Sequence, residues 1–136
     1  MHELFEHTAD LGLRAVAPDV NTLFAEMAAC LMSAIVEDPA SIQPLHESAL
    51  QLAGTEKDYL LVDWLKELLL RFEEDHMLFA TFDVQVSDTG LTATLRGEPV
   101  DPQRHALAHE VKAITYHELK VIQTPQGWLA EVIVDI

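Results

Sequence analysis

The sequence predicts an α+β domain in which two main helices pack on a mixed, largely antiparallel sheet. Three observations carry that expectation. Two long segments repeat apolar residues at helical spacing, several shorter ones alternate apolar and polar residues, and turn residues separate the alternating segments in the manner of hairpins. With 136 residues, 49% of them hydrophobic, the chain suffices for one compact domain over residues 1–136 with a core of its own.

Residues His2 to His7 read as a short strand, and Leu11, Leu13, Ala15 and Ala17 alternate with Gly12, Arg14 and Val16 as a second strand would. The loop Thr8-Ala9-Asp10 lies between them. Asp19 is placed to cap a helix whose stripe runs through Leu23, Phe24, Met27, Ala28, Leu31 and Ile35, with Pro39 expected to end it. Ser48, Leu50 and Leu52 mark a third strand. Thr55-Glu56-Lys57-Asp58 then has the spacing of a capping box, opening a helix with Leu61, Trp64, Leu65, Leu68, Leu69 and Phe72 on one face and Asp63, Lys66, Glu67, Arg71 and Glu74 on the other.

Leu78 to Val86 and Leu91 to Leu95 alternate across Asp88-Thr89-Gly90, a hairpin with glycine where a positive φ is expected. Residues 97–102, Gly-Glu-Pro-Val-Asp-Pro, read as a loop. His105 to Thr115 fits a helical turn, a strand, or one followed by the other. The apolar phase shifts between Ile114-Tyr116 and Leu119-Val121, which calls for a bulge or a change of element. After the turn at Pro125-Gln126-Gly127, Trp128 to Ile136 is apolar on both parities, the pattern of a strand buried in mid-sheet, so the chain is expected to end inside the fold.

Eight basic against 23 acidic residues give a formal charge of -15. Nucleic-acid affinity rests on neutralising phosphates with Lys and Arg, so direct binding to RNA or DNA is disfavoured, whereas cations and basic proteins are attracted. No stretch approaches the roughly 18 apolar residues of a membrane helix, and Met1 is followed by His2 and Glu3 instead of a basic segment and an apolar signal core; a soluble, cytoplasmic protein is expected. The single cysteine, Cys30, falls on the inner side of the first helix and reads as core filler.

Nucleotide signatures are missing, since the five glycines are too scattered for a phosphate cradle, and no CxxC or HExxH spacing occurs. Of seven histidines, His105 and His109 stand at i,i+4 and would share a face only if that segment is helical. Asp10 stands in a tight loop, where the ordinary role is an Asx turn tied by backbone hydrogen bonds. Asp135 precedes the terminal carboxylate of Ile136, and two anions side by side need a cation or dense hydrogen bonding. Oxygen donors of this kind suit Ca²⁺ or Mg²⁺. Lys112 is one of few cations in its neighbourhood, either a structural counter-ion or a contact for a partner's phosphate.

Taken in order, residues 7–12 (HTADLG), residues 64–69 (WLKELL), Gly97-Glu98, Arg104-His105, residues 110–117 (EVKAITYH), Gly127-Trp128 and the terminal Val134-Asp135-Ile136 resemble the archease family from the first strand to the last residue. Archeases are compact α+β proteins that act with RtcB-type RNA ligases. The resemblance implies a protein cofactor, not an enzyme, that promotes GTP-dependent guanylylation of the ligase in tRNA splicing or RNA repair. It further implies a divalent-cation site at Asp10, Asp135 and Ile136, and a functional lysine at Lys112. Two rival classes remain open at this level: an acidic chaperone-like protein for basic clients, and a metal-dependent hydrolase built on Asp10, Asp135 and a histidine.

Overall fold

Alternating residues extend the backbone, and tight turns fold successive strands against each other, so hairpins dominate the architecture. The computed structural model describes residues 1–136. Strand β1 (His2–His7) turns directly into β2 (Asp10–Ala17), and helix α1 (Val20–Ile35) follows. A 3-10 turn at Pro39–Ser41 leads to β3 (His46–Ala53), α2 (Lys57–Asp75), β4 (Met77–Ser87) and β5 (Gly90–Pro99). The chain closes with β6 (Ala113–Ile114), β7 (Lys120–Thr124) and β8 (Gly127–Asp135).

The strands form two sheets, not the single mixed sheet expected, and every pair is antiparallel. In the first, β8 lies between β2 and the edge shared by β6 and β7, with β1 outside β2. In the second, β5 lies between β3 and β4. Strands β3 and β4 are joined through α2, yet they flank β5 instead of pairing with each other, so the connection that might have made a parallel pair does not.

Both helices bear on both sheets: α1 packs on β1, β2 and β8 and on β4, while α2 packs on β3 and β4 and on β6 and β7. This double packing explains why α1 buries Leu23, Phe24, Met27, Ala28, Cys30, Leu31, Met32, Ala34 and Ile35, more than one stripe would need. The two helices are also locked to each other, since the fully buried Trp64 donates its indole N–H to the Phe24 carbonyl at 2.9 Å. That bond satisfies the one polar atom the large ring carries inside. No helix is long and apolar enough to cross a membrane.

Asp19 caps α1 as its position predicts, accepting from the Thr22 amide at 2.8 Å. The helix stops at Ile35, before Pro39 acts, because Val36 turns extended and bridges to Leu107. The capping box at Thr55 does not form: α2 starts two residues later, Glu56 takes the cap position without a side-chain bond, and Asp58 bonds the neighbouring Tyr59 amide. Residues Gly97 to Pro99 belong to β5 and not to a loop, with Gly97 facing His46 on one side and Phe79 on the other. A Cβ at position 97 would run into the Leu78 carbonyl, which is why glycine stands there.

The phase shift before β7 is real. Ala113 faces Asp135 and Lys120 faces Glu131, so an advance of seven positions along the edge matches an advance of only four along β8. The surplus bulges out as Thr115 to Leu119, with Glu118 at φ 52. Strand β8 is buried on both faces through Val132, Ile133 and Val134, as its composition predicts. The chain end itself is not internal: Asp135 is exposed and Ile136 is 37% exposed.

Candidate functional site

Register decides which side chains meet at the end of the first sheet. Because strand side chains alternate between faces, directly opposed residues share one face with their Cβ atoms about 5 Å apart. Strand β1 sets His7 opposite Asp10. Strand β2 pairs Leu11 with Val134, and one further step of that register sets Asp10 opposite Asp135. His7, Asp10 and Asp135 therefore form a row across three strands, on the face away from the helices. Ile136, carrying the terminal carboxylate, follows immediately.

The Asx turn expected at Asp10 does not form. Its carboxylate accepts no hydrogen bond and meets no cation, so it ties no Asx turn, and the Asp135 carboxylate is equally unpartnered. The contrast lies further down the same face. There Arg14 bonds Glu3 at 2.8 Å and Glu131 at 2.7 Å, Lys120 reaches Glu131 at 3.3 Å, and the Arg14 guanidinium lies 4.2 Å from the Phe5 ring centre. The middle row, Phe5, Gly12 and Ile133, separates this neutralised ladder from the free carboxylates. Gly12 leaves room for the Phe5 ring, which a Cβ would enter.

Lys112 reaches the chain end through its backbone, its amide donating to the Asp135 carbonyl at 2.8 Å. Its side chain belongs elsewhere. It is exposed, it makes no ion pair, and it borders a hollow lined by Lys66, Leu69, Leu70 and Glu73 of α2. It is thus not the counter-ion of the carboxylate row. Lys66 beside it lies 4.7 Å from the centre of the exposed Tyr116 ring, which meets Tyr59 edge to face at 5.8 Å.

Of the readings left open for His105 to Thr115, the helical one fails: residues 105–112 are not helical, so His105 and His109 share no helix face. His105 is buried, accepting the Asp101 amide on Nδ1 at 2.8 Å. Nε2 therefore carries the proton and donates to Glu98 at 3.1 Å. Glu98 also accepts from the Gln43 amide at 2.7 Å and pairs with Arg104. Burial pushes the Glu98 carboxyl up, but Arg104, the Gln43 amide and His105 outweigh it and hold the group down to about 2. Cys30 is fully buried, and desolvation pushes its thiol up to about 11, which leaves it unreactive.

One grouping escaped sequence reasoning. His7, His117 and Glu118 present ligand atoms all within 4.8 Å of one another. The histidines stand 110 residues apart, and only the fact that both fall in resemblance motifs could have hinted at it.

The profile of the Archease protein family matches residues 2–136. The chain is 38% identical to the protein archease of Methanopyrus kandleri, with 98% of each chain covered, and 34% identical to that of Sulfurisphaera tokodaii, with 98% of this chain and 97% of the other covered. Its fold is similar to the solution structure of Methanobacterium thermoautotrophicum protein 1598, with a TM-score of 0.85, 28% identity, and 99% and 98% of the two chains covered.

Proposed function

Because the chain belongs to the archease family, we propose that it is a non-catalytic protein cofactor of an RtcB-type RNA ligase in the cytoplasm, promoting the GTP-dependent guanylylation that restores the ligase for further turnovers in tRNA splicing or RNA repair. The single observation that favours this reading is the pair of unpartnered carboxylates, Asp10 and Asp135, side by side at the end of the sheet. Opposed like charges without hydrogen bonds destabilise a fold, so their juxtaposition argues for a ligand. Asp10, Asp135 and the terminal carboxylate of Ile136 would hold a divalent cation of the Ca²⁺ or Mg²⁺ class, for which an all-oxygen donor set is suited. Such an ion, when bound, supplies positive charge to a surface that is otherwise anionic.

Lys112 would meet the partner or its nucleotide. An unpaired ammonium on a protein of charge -15 is free to engage a phosphate without first breaking an ion pair. Cys30, the one thiol, is buried and its pKa is raised, so it supplies no nucleophile for covalent catalysis. The test measures GMP attachment to a purified ligase with and without this protein. Acceleration by the parent, and its loss in Lys112→Ala with a stability changed by no more than about 0.5 kcal/mol, is the expected outcome. No effect on GMP transfer, combined with salt-sensitive binding to many unrelated basic proteins, would replace this reading by that of an acidic chaperone.

A further inference from the structure

We propose that His7, His117 and Glu118 form a second cation site, adjoining the carboxylate row through His7 but with its own donors, and suited to a borderline transition-metal ion such as Zn²⁺. The inference goes beyond the ligase reading and does not rest on it. His7 Nε2 lies 2.9 Å from one Glu118 oxygen and His117 Nε2 lies 3.9 Å from the other. The two rings meet edge to face with centroids 5.3 Å apart. Two imidazoles thus converge on one carboxylate, one at each oxygen.

A tetrahedral ion about 2.0–2.1 Å from each donor spaces its ligands roughly 3.3 Å apart. The three donors already lie within 4.8 Å, and the His117 and Glu118 side chains, each 62% exposed, are free to close the difference. Two nitrogens and one oxygen select Zn²⁺ over Ca²⁺ or Mg²⁺, the reverse of the preference at Asp10 and Asp135. Three protein ligands leave a fourth position for water.

The ligating nitrogen of His7 would be Nε2, the one that faces Glu118, while Nδ1, the other ring nitrogen, is buried without a hydrogen-bond partner and takes no part in the site. An ion here would clamp the Thr8-Ala9 turn to the Thr115–Leu119 bulge, and so steady the segment that carries Tyr116.

The experiment is calorimetric titration of the intact protein with Zn²⁺ alone, and separately with Ca²⁺ alone. The parent should take up one equivalent of Zn²⁺. His117→Ala and Glu118→Gln, both at exposed positions, should melt like the parent yet lose Zn²⁺ affinity by more than the roughly 10- to 100-fold that loss of an outer-shell partner costs. The double variant Asp10→Asn, Asp135→Asn should keep the Zn²⁺ site. Ca²⁺ binding serves as the control, because its failure would discredit the carboxylate site and leave this one standing. Absence of a stoichiometric Zn²⁺ site in the parent, or unchanged Zn²⁺ binding in His117→Ala and Glu118→Gln, overturns the proposal.

Discussion

A carboxylate opposite another carboxylate on adjacent strands contributes unfavourably to folding, by a few tenths of a kcal/mol up to about 1. Asp10 and Asp135 stand in this relation with no hydrogen bond to relieve it, whereas Glu3 and Glu131 on the same face are bridged by Arg14. The difference gives Asp10→Asn two opposite signs. In a chelator the variant should melt above the parent, because the repulsion is gone. In excess Ca²⁺ the parent should rise, since a ligand that binds only the folded state stabilises it by mass action, while the variant should not. Thermal unfolding of both proteins with and without Ca²⁺ makes the comparison, and a parent indifferent to the ion would remove the argument for a site at these residues.

Whole elements were legible where a local period decides them. The stripe of α2, the cap of α1 at Asp19, the hairpin at Asp88-Thr89 and the doubly buried β8 all follow from neighbours in sequence. The segment from Gly97 to Lys112 was not legible, because what holds it is distant. Glu98 bonds the Gln43 amide, 55 residues away, and the Ala108 and His109 amides donate to the Ile35 and Ala34 carbonyls at the end of α1. No periodicity encodes such bonds, so the segment offered helix and strand equally. The partition into two sheets was hidden for the same reason, since α1 and α2 each satisfy both. Of the candidate site, Asp10, Asp135, Ile136 and Lys112 were singled out through motif resemblance, but only the register opposed the aspartates and only the fold set the lysine beside α2.

The Glu98 knot is what pins that segment, so its removal should act on the element as a unit. Glu98→Gln leaves Arg104 without its buried partner, and the cost should be about 2–3 kcal/mol, at or below the lower range for breaking a buried pair because the Arg104 side chain is 40% exposed. The folded carboxyl lies at about 2, below its ordinary value. Its stabilising contribution is therefore complete above the ordinary glutamate range and fades as pH falls through that range towards 2. The parent and Glu98→Gln should differ most in melting temperature near neutrality and converge in acid. A constant gap down to pH 2 would show that the charge of Glu98 does not contribute.

At the scale of the molecule, two electrostatic effects of salt compete. The formal charge of -15 makes the compact state repel itself, and salt screens that repulsion. Salt also weakens the surface pairs of Arg14, Arg71, Arg96 and Lys120, which would lower stability. Exposed pairs of this kind are each worth about 0–1 kcal/mol, and they are few against an excess of fifteen negative charges, so relief of repulsion should win. The melting temperature should rise as NaCl increases from about 0.05 to 0.5 M, over which the screening length shortens from more than about 10 Å to only a few Å. The same salt should act in the opposite direction on the proposed association with a ligase, slowing the on-rate, because an anionic surface steers a basic partner only at long range. Thermal unfolding and stopped-flow association over one salt series separate the two effects. A melting temperature that falls with NaCl would show that the local ion pairs outweigh the net charge. An on-rate indifferent to salt would leave the charge with no part in finding the partner.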